Sequence, residues 1–182
     1  MLEMSIGWIG ENGVEKKDSF ASYIESEIKR NINRIQQVVG EKNIIEDIKS
    51  KADKALAIIR DINNIKPVIC WYDINPNNIL INQKSNIVGF LDPGGARFSP
   101  KEWDLAFIKM DLCKNKEEYE YFIKEYEKES KINYELLKAL SIIVEIDDMA
   151  FQLETNTILP IAFDTNFKEI FAIIRQNSTR PN

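Results

Sequence analysis

Between Phe20 and Ile62 apolar residues recur every three or four positions, and at Pro67 the recurrence stops, so the chain opens as paired helices and then changes kind. The first stripe is Phe20, Ile24, Ile28, Ile32, Ile35 and Val39, with Asp18 or Ser19 placed to cap it and Gly40 to end it. The second, over 44–62, is Ile45, Ile48, Ala52, Ala55, Ile59 and Ile62, backed by Lys, Asp and Arg. After Pro67 the run Val68-Ile69-Cys70-Trp71 reads as a short buried strand, and 79–82 and 87–91 as a hairpin around a polar link. From Trp103 the helical period returns over 103–113, 117–129, 134–153 and 165–176. The expected class is therefore α+β, mainly helical, with a small β-hairpin sheet. A length of 182 residues fits one domain over 1–182.

Composition removes whole classes of function. The chain has no histidine, which excludes every mechanism that rests on an imidazole base or ligand. It carries 24 Lys+Arg against 29 Asp+Glu, a net charge of -5, so it lacks the basic surplus that a nucleic acid demands. Cys70 and Cys113 are too few for a disulfide framework, and no apolar run has the length of a membrane span or a signal peptide. The expectation is a cytoplasmic protein with neither nucleic-acid nor membrane partners.

The densest polar chemistry lies in 68–106. Pairing strand 79–82 with 88–91 so that partner numbers sum to about 170 sets Asn78 opposite Asp92. Asp73 lies five residues before Asn78 across a loop held by Pro76, so its carboxylate can fold back to the same end. Two carboxylates and an amide oxygen would then converge, a partial set of hard oxygens of the kind Mg²⁺ takes alongside substrate phosphates. With 17 Asn and 11 Asp in the chain, a single Asp five residues before an Asn is expected by chance. As turn residues beside strands, these three side chains also have a purely structural reading.

The joint pattern is more specific than the spacing. Trp71-Tyr72-Asp73-Ile74-Asn75-Pro76-Asn77-Asn78-Ile79-Leu80 precedes Phe90-Leu91-Asp92-Pro93-Gly94-Gly95-Ala96, and Glu102-Trp103-Asp104-Leu105-Ala106 follows. In this the sequence resembles the aminoglycoside phosphotransferase and choline kinase family, distant relatives of protein kinases. The family shows His-Gly-Asp-x-x-Pro-x-Asn before an apolar strand, then an Ile/Leu-Asp turn, then Asp-Leu-Ala at a helix head. The resemblance implies a protein-kinase-like C-terminal lobe whose hairpin carries the catalytic and metal loops. It implies that Asp73 is the catalytic base, that Asn78 and Asp92 are magnesium ligands, and that Asp104 supports the catalytic loop. The family's His-Gly is Trp71-Tyr72 here, which puts the packing of the loop in question.

Such a kinase also has a β-rich N-terminal lobe, with a loop over the phosphates and a strand lysine. Residues 1–66 read mainly as two helices, and Gly7, Gly10 and Gly13 have the wrong spacing for a phosphate cradle. That lobe is expected to be absent, with 1–17 resembling a remnant of the segment joining the lobes. The resemblance thus implies ATP- and Mg²⁺-dependent phosphoryl transfer to a hydroxyl of a small molecule, an aminoglycoside, choline or similar. A truncated or split chain would be weak or inactive alone, completed by a lobe in trans or by self-association. The alternative is a non-catalytic binding module derived from the same fold.

The substrate side is read from one helix. Glu145, Asp148 and Gln152 share a face of 134–153, with Asp147 adjacent. By pattern alone this is a solvated face. Relatives that bind cationic amino sugars use acidic pockets in their helical region, and the resemblance carries that role to Glu145, Asp147 and Asp148. Tyr119, Tyr126, Phe163 and Phe167 offer either a box for a quaternary amine or core packing. Gly94 and Gly95 admit either close approach to a phosphate or a positive φ, and Arg97 is either solvated or within reach of a phosphate.

Overall fold

The structure is a computed structural model, and it describes residues 7–10, 13–14, 19–62, 65–155, 167 and 170–172. Among the described residues five helices have both ends: α1 (Phe20–Val38), α2 (Lys42–Asp61), α3 (Glu102–Asp111), α4 (Lys116–Tyr126) and α5 (Tyr134–Thr155). The strands are β1 (Gly7–Gly10), β2 (Gly13–Val14), β3 (Val68–Cys70), β4 (Ile79–Ile81), β5 (Ile87–Phe90) and β6 (Arg97–Ser99). The mainly helical α+β class is as expected.

The capping chemistry explains where the helices begin. Ser19 accepts from the Ser22 amide at 3.0 Å and opens α1; Asp18, the other candidate cap, lies outside the described residues. Asn115 caps α4 in the same way through the Glu118 amide, and Asn133 caps α5 through the Leu136 amide. The expected helix 117–129 stops at Tyr126. Of the expected helix 165–176, only Phe167 and Ile170–Ala172 are described; the Phe171 amide donates to the Phe167 carbonyl, and 170–172 are helical.

The core forms around α5, which packs against α1, α2 and α3. Ile24 and Ile35 of α1 and Ile48 and Ile59 of α2 are buried facing it, and on α5 Leu140, Ile143, Ile146 and Met149 are buried in turn. A helix apolar over most of its circumference is stable in water only when other helices surround it.

The strands hold two differences from the sequence reading. First, there are two sheets: an antiparallel one in the order β2-β1-β6-β3, and the β4–β5 hairpin. Strands β1, β2 and β6 were not expected. Second, the hairpin register is shifted by one. Ile79 pairs with Phe90 and Leu80 with Gly89, a bulge precedes Ile81↔Ile87, and the Leu91 amide donates to the Asn78 carbonyl at 2.8 Å. Asn78 therefore faces Leu91, and Asp92 follows as the first residue past the ladder. Asp92 is left-handed, at φ 53, and opens the turn Pro93–Gly95.

Candidate active site

The loop after β3 is built from its own side chains. Both Asp73 carboxylate oxygens are held: Oδ1 accepts from Asn75 Nδ2 at 2.6 Å and Oδ2 from Asn78 Nδ2 at 2.9 Å. Asn78 Nδ2 also donates to the Asp73 carbonyl at 3.1 Å. Asn75 Oδ1 accepts from the Asn77 amide and caps the 3-10 turn Pro76–Asn78, so one asparagine shapes the turn and orients the carboxylate. Since the Asn78 nitrogen faces Asp73, its Oδ1 is the oxygen turned the other way.

Asp104, in the first turn of α3, fixes the front of the loop. Its Oδ2 accepts from the Trp71 amide at 2.9 Å and its Oδ1 from the Tyr72 amide at 3.0 Å. Burial raises its proton affinity above that of an ordinary aspartate, and the two amides oppose that rise.

Tyr72 stands where the resembled motif has glycine, and its backbone is left-handed, at φ 73. For a non-glycine residue this costs about 1–2 kcal/mol, which its side-chain contacts offset. The ring lies with its centroid 3.3 Å from Arg97 Cζ, stacks on Trp103 and meets Phe107 edge-on at 4.6 Å. Its hydroxyl donates to Asp147 Oδ2 at 2.9 Å. Arg97 is thus buried, 1% exposed, and bonded to the Tyr23 hydroxyl, so it is not solvated. Gly95 has no positive φ, and it meets a packing need. A Cβ there would lie 3.3 Å from Tyr72 Cδ1 and 3.5 Å from the Trp71 carbonyl, so glycine lets the Asp92 turn pack on the Asp73 loop.

Beside Asp73 opens a cavity of about 620 Å³ between α1, α3 and α5. Asp111 of α3 and Asp147 and Asp148 of α5 line it with Asp73; Arg30 and Arg34 of α1 complete the polar wall, and Phe107 and Phe151 are its aromatic faces. The acidic groups are unequal. Partial desolvation at the rim of the cavity, with Asp148 and Asp73 nearby, pushes the carboxyl of Asp111, an exposed residue, up to about 7. Burial likewise pushes Asp148 up to about 6, opposed by the Gln152 amide at 2.6 Å and reinforced by Asp147 and Glu145. Asp147 is well bonded, accepting from Asn31 Nδ2 at 2.7 Å as well as from Tyr72.

The sequence-expected site residues thus divide. Asp73 and Asn78 are in contact, Asp104 grips the loop, and Asp92 sits one residue beyond the Asn78–Leu91 pair with its Oδ1 accepting from the Gly94 amide at 3.3 Å. Asp147 and Asp148 line the cavity. Glu145 does not: at 1% exposure it is buried in the interior, and its charge acts on Asp148 in the pocket. Of the aromatic box, the described residues are in or against the core: Phe167 is buried under the Lys51 ammonium, and Tyr119 and Tyr126 are half-buried; Phe163 lies outside the described residues. Asp111, Arg30 and Arg34 were not expected. An acidic residue at the C-terminal end of a helix, against the dipole, was the available signal for Asp111.

A family model described as the phosphotransferase enzyme family matches residues 22–140. The chain belongs to that family. Among solved structures it is similar to aminoglycoside phosphotransferase APH(4)-Ia. The apo form of a thermostable mutant superposes at TM-score 0.65 with 17% identity, over 97% of this chain and 59% of that one. A ternary complex of the N202A form with AMP-PNP and hygromycin B gives 0.66 at 15% identity, with the same coverage. At these identities the likeness is one of fold, a partial kinase-like one, and this chain spans about 59% of the length of those structures. No curated protein matches the chain. Among the described residues no helix is long and apolar enough to cross a membrane.

Proposed function

We propose that the chain is the acceptor-binding and base-bearing part of a phosphotransferase that moves the terminal phosphoryl group of ATP to a hydroxyl of a small amino alcohol. The observation that carries this reading is the position of Asp73, held through both oxygens at the mouth of a cavity with three further aspartates. There its carboxylate accepts the proton of an acceptor hydroxyl, while Asp111 and Asp148 favour an acceptor bearing an ammonium group. The nucleotide and ammonium parts draw support from the AMP-PNP and hygromycin B bound by the structural neighbour. Asp104 and the two asparagines keep the base oriented before the acceptor arrives, so little reorganisation remains for the reacting complex.

Asn78 and Asp92 fit a divalent cation. Asn78 offers an amide oxygen turned away from Asp73, and Asp92 offers a carboxylate of which Oδ2 is not used by its own turn. Among the described residues no three His, Cys, Asp or Glu side chains are grouped to hold a metal. A partial set of hard donors is what a magnesium ion shared with nucleotide phosphates uses. Bound there, Mg²⁺ would neutralise charge on the phosphates.

The chain spans about 59% of its structural neighbours, and Leu80, Ile81, Ile87, Val88 and Phe90 of the hairpin are exposed. Both facts support weak turnover by this chain alone and a further lobe, or a second copy, over that face. The second reading is a non-catalytic binding module. Calorimetry with Mg²⁺ and ATP separates the two. Heat of binding, with phosphoryl transfer to an aminoglycoside, choline or an amino sugar under single-turnover conditions, supports the enzyme. Absence of both supports the module.

A further inference from the structure

Tyr72 belongs to two sites at once. Its amide is fixed by Asp104, the following residue is the candidate base, and its hydroxyl reaches Asp147 on the wall of the cavity, 75 residues away in sequence. Its left-handed backbone is a conformation that tyrosine does not choose by itself. The side chain enforces it, pressed between the Arg97 guanidinium, Trp103 and Phe107 and ended by the hydrogen bond to Asp147. Asp147 in turn is steadied by Asn31 of α1, so the phenol is anchored to two helices that build the acceptor pocket.

We infer that Tyr72 is a positioning residue for Asp73, and that its phenol couples the orientation of the base to Asp147 in the pocket wall. The inference rests on reading Asp73 as the base. Where a glycine would let the loop turn freely, this chain holds the turn with an aromatic anchor whose far end lies in the acceptor site. An acceptor that draws on Asp147 would therefore be felt at the peptide joining Tyr72 to Asp73. The hydroxyl is the atom of Tyr72 that bonds Asp147, so it carries the coupling, and Tyr72→Phe removes it while keeping the ring.

The test uses the full chain with Tyr72→Phe, Asp147→Ala and the double variant, followed by amide hydrogen exchange. Four loop amides report: those of Trp71 and Tyr72, which bond Asp104, and those of Asn77 and Asn78, which close the turn. The backbone amide at position 72 is present in every variant, so all four can be followed throughout. Each single variant is expected to speed these amides about fivefold or more, the double variant no further, with α5 core amides unchanged. Loop amides that keep their parental rates, or that speed by the same factor as the core, overturn the inference, since a merely structural tyrosine would act on the whole fold. Exchange does not depend on turnover. A parent chain that shows the loop response but neither binds Mg²⁺-ATP nor transfers phosphate therefore counts against the enzyme reading and leaves only the coupling of the Asp73 loop to Asp147 standing. In an active chain, Tyr72→Phe lowers kcat and leaves the KM for ATP unchanged.

Discussion

Asn78 grips Asp73 twice with one nitrogen, 2.9 Å from Oδ2 and 3.1 Å from the backbone carbonyl of the same aspartate. Both bonds leave the amide oxygen of Asn78 facing away, so one side chain orients the base and offers a donor to a cation. Asn78→Ala removes both functions. It is expected to cost about 1 kcal/mol of stability from the lost hydrogen bonds and roughly 10²-fold in single-turnover phosphoryl transfer from the misplaced base. Thermal melting and rapid-quench kinetics measure the two effects; an unchanged rate would remove Asn78 from the site.

Asp104→Asn breaks the clamp on the loop front. An amide has one oxygen where the carboxylate offers two, and its NH₂ must meet the Trp71 or Tyr72 amide, donor against donor. A loss of about 1–3 kcal/mol follows from the stranded half-buried group. Denaturant unfolding reads it, and a stability equal to that of the parent would show that the loop does not depend on Asp104.

Asp111 and Asp148 impose a pH dependence with a definite sign. Their carboxyls are pushed up to about 7 and about 6, so the folded chain holds protons that the unfolded chain, titrating near 4, has released. This stabilisation is complete below pH 4 and is lost as the pH rises through 6 and 7. The melting temperature should therefore fall between pH 5 and pH 7.5, and Asp111→Asn should raise it at pH 7.5. A melting temperature indifferent to pH in that window, or lowered by Asp111→Asn, would contradict the desolvation of these carboxyls.

Arg97→Lys is not conservative here. The guanidinium plane lies against the Tyr72 ring and bonds the Tyr23 hydroxyl from a buried position, which a lysine ammonium cannot reproduce. A destabilisation of about 2–4 kcal/mol is expected, in the range seen when a buried charge loses its setting, and circular dichroism melts will show it.

The hairpin face predicts self-association. Ile81, Ile87 and Val88 are each about 60% exposed and lie close together on a two-stranded sheet. Light scattering of the chain at high concentration is expected to give a mass above that of one copy, and Ile81→Lys with Val88→Lys to return it to one copy. A monomer throughout would show that the face is tolerated in water.

The helices were legible because their cores are isoleucine stripes of helical period, and the Asp73 loop because its turn residues are also its chemistry. Strand β6 was not legible. Its buried positions are Arg97 and Ser99 with Phe98 between them only half-buried, an inversion of the apolar-in alternation on which strand reading rests. The register error of one residue arose because Asp92, at positive φ, belongs to the turn and not to the ladder. Glu145 shared a helix face with Asp148 by spacing, yet α5 is enclosed on most sides, so one face does not mean one environment. Tyr72 departed from the resembled motif, and only its partners at Arg97 and Asp147, far away in the sequence, account for a tyrosine there.

Whether Asp73 is the base of a phosphoryl transfer is read from single-turnover transfer from Mg²⁺-ATP to an amino alcohol, compared between the parent chain and Asp73→Asn. The account predicts slow transfer by the parent and a fall of about 10²-fold or more in the variant, with melting temperature and ATP binding retained. Equal rates in the two proteins would contradict it.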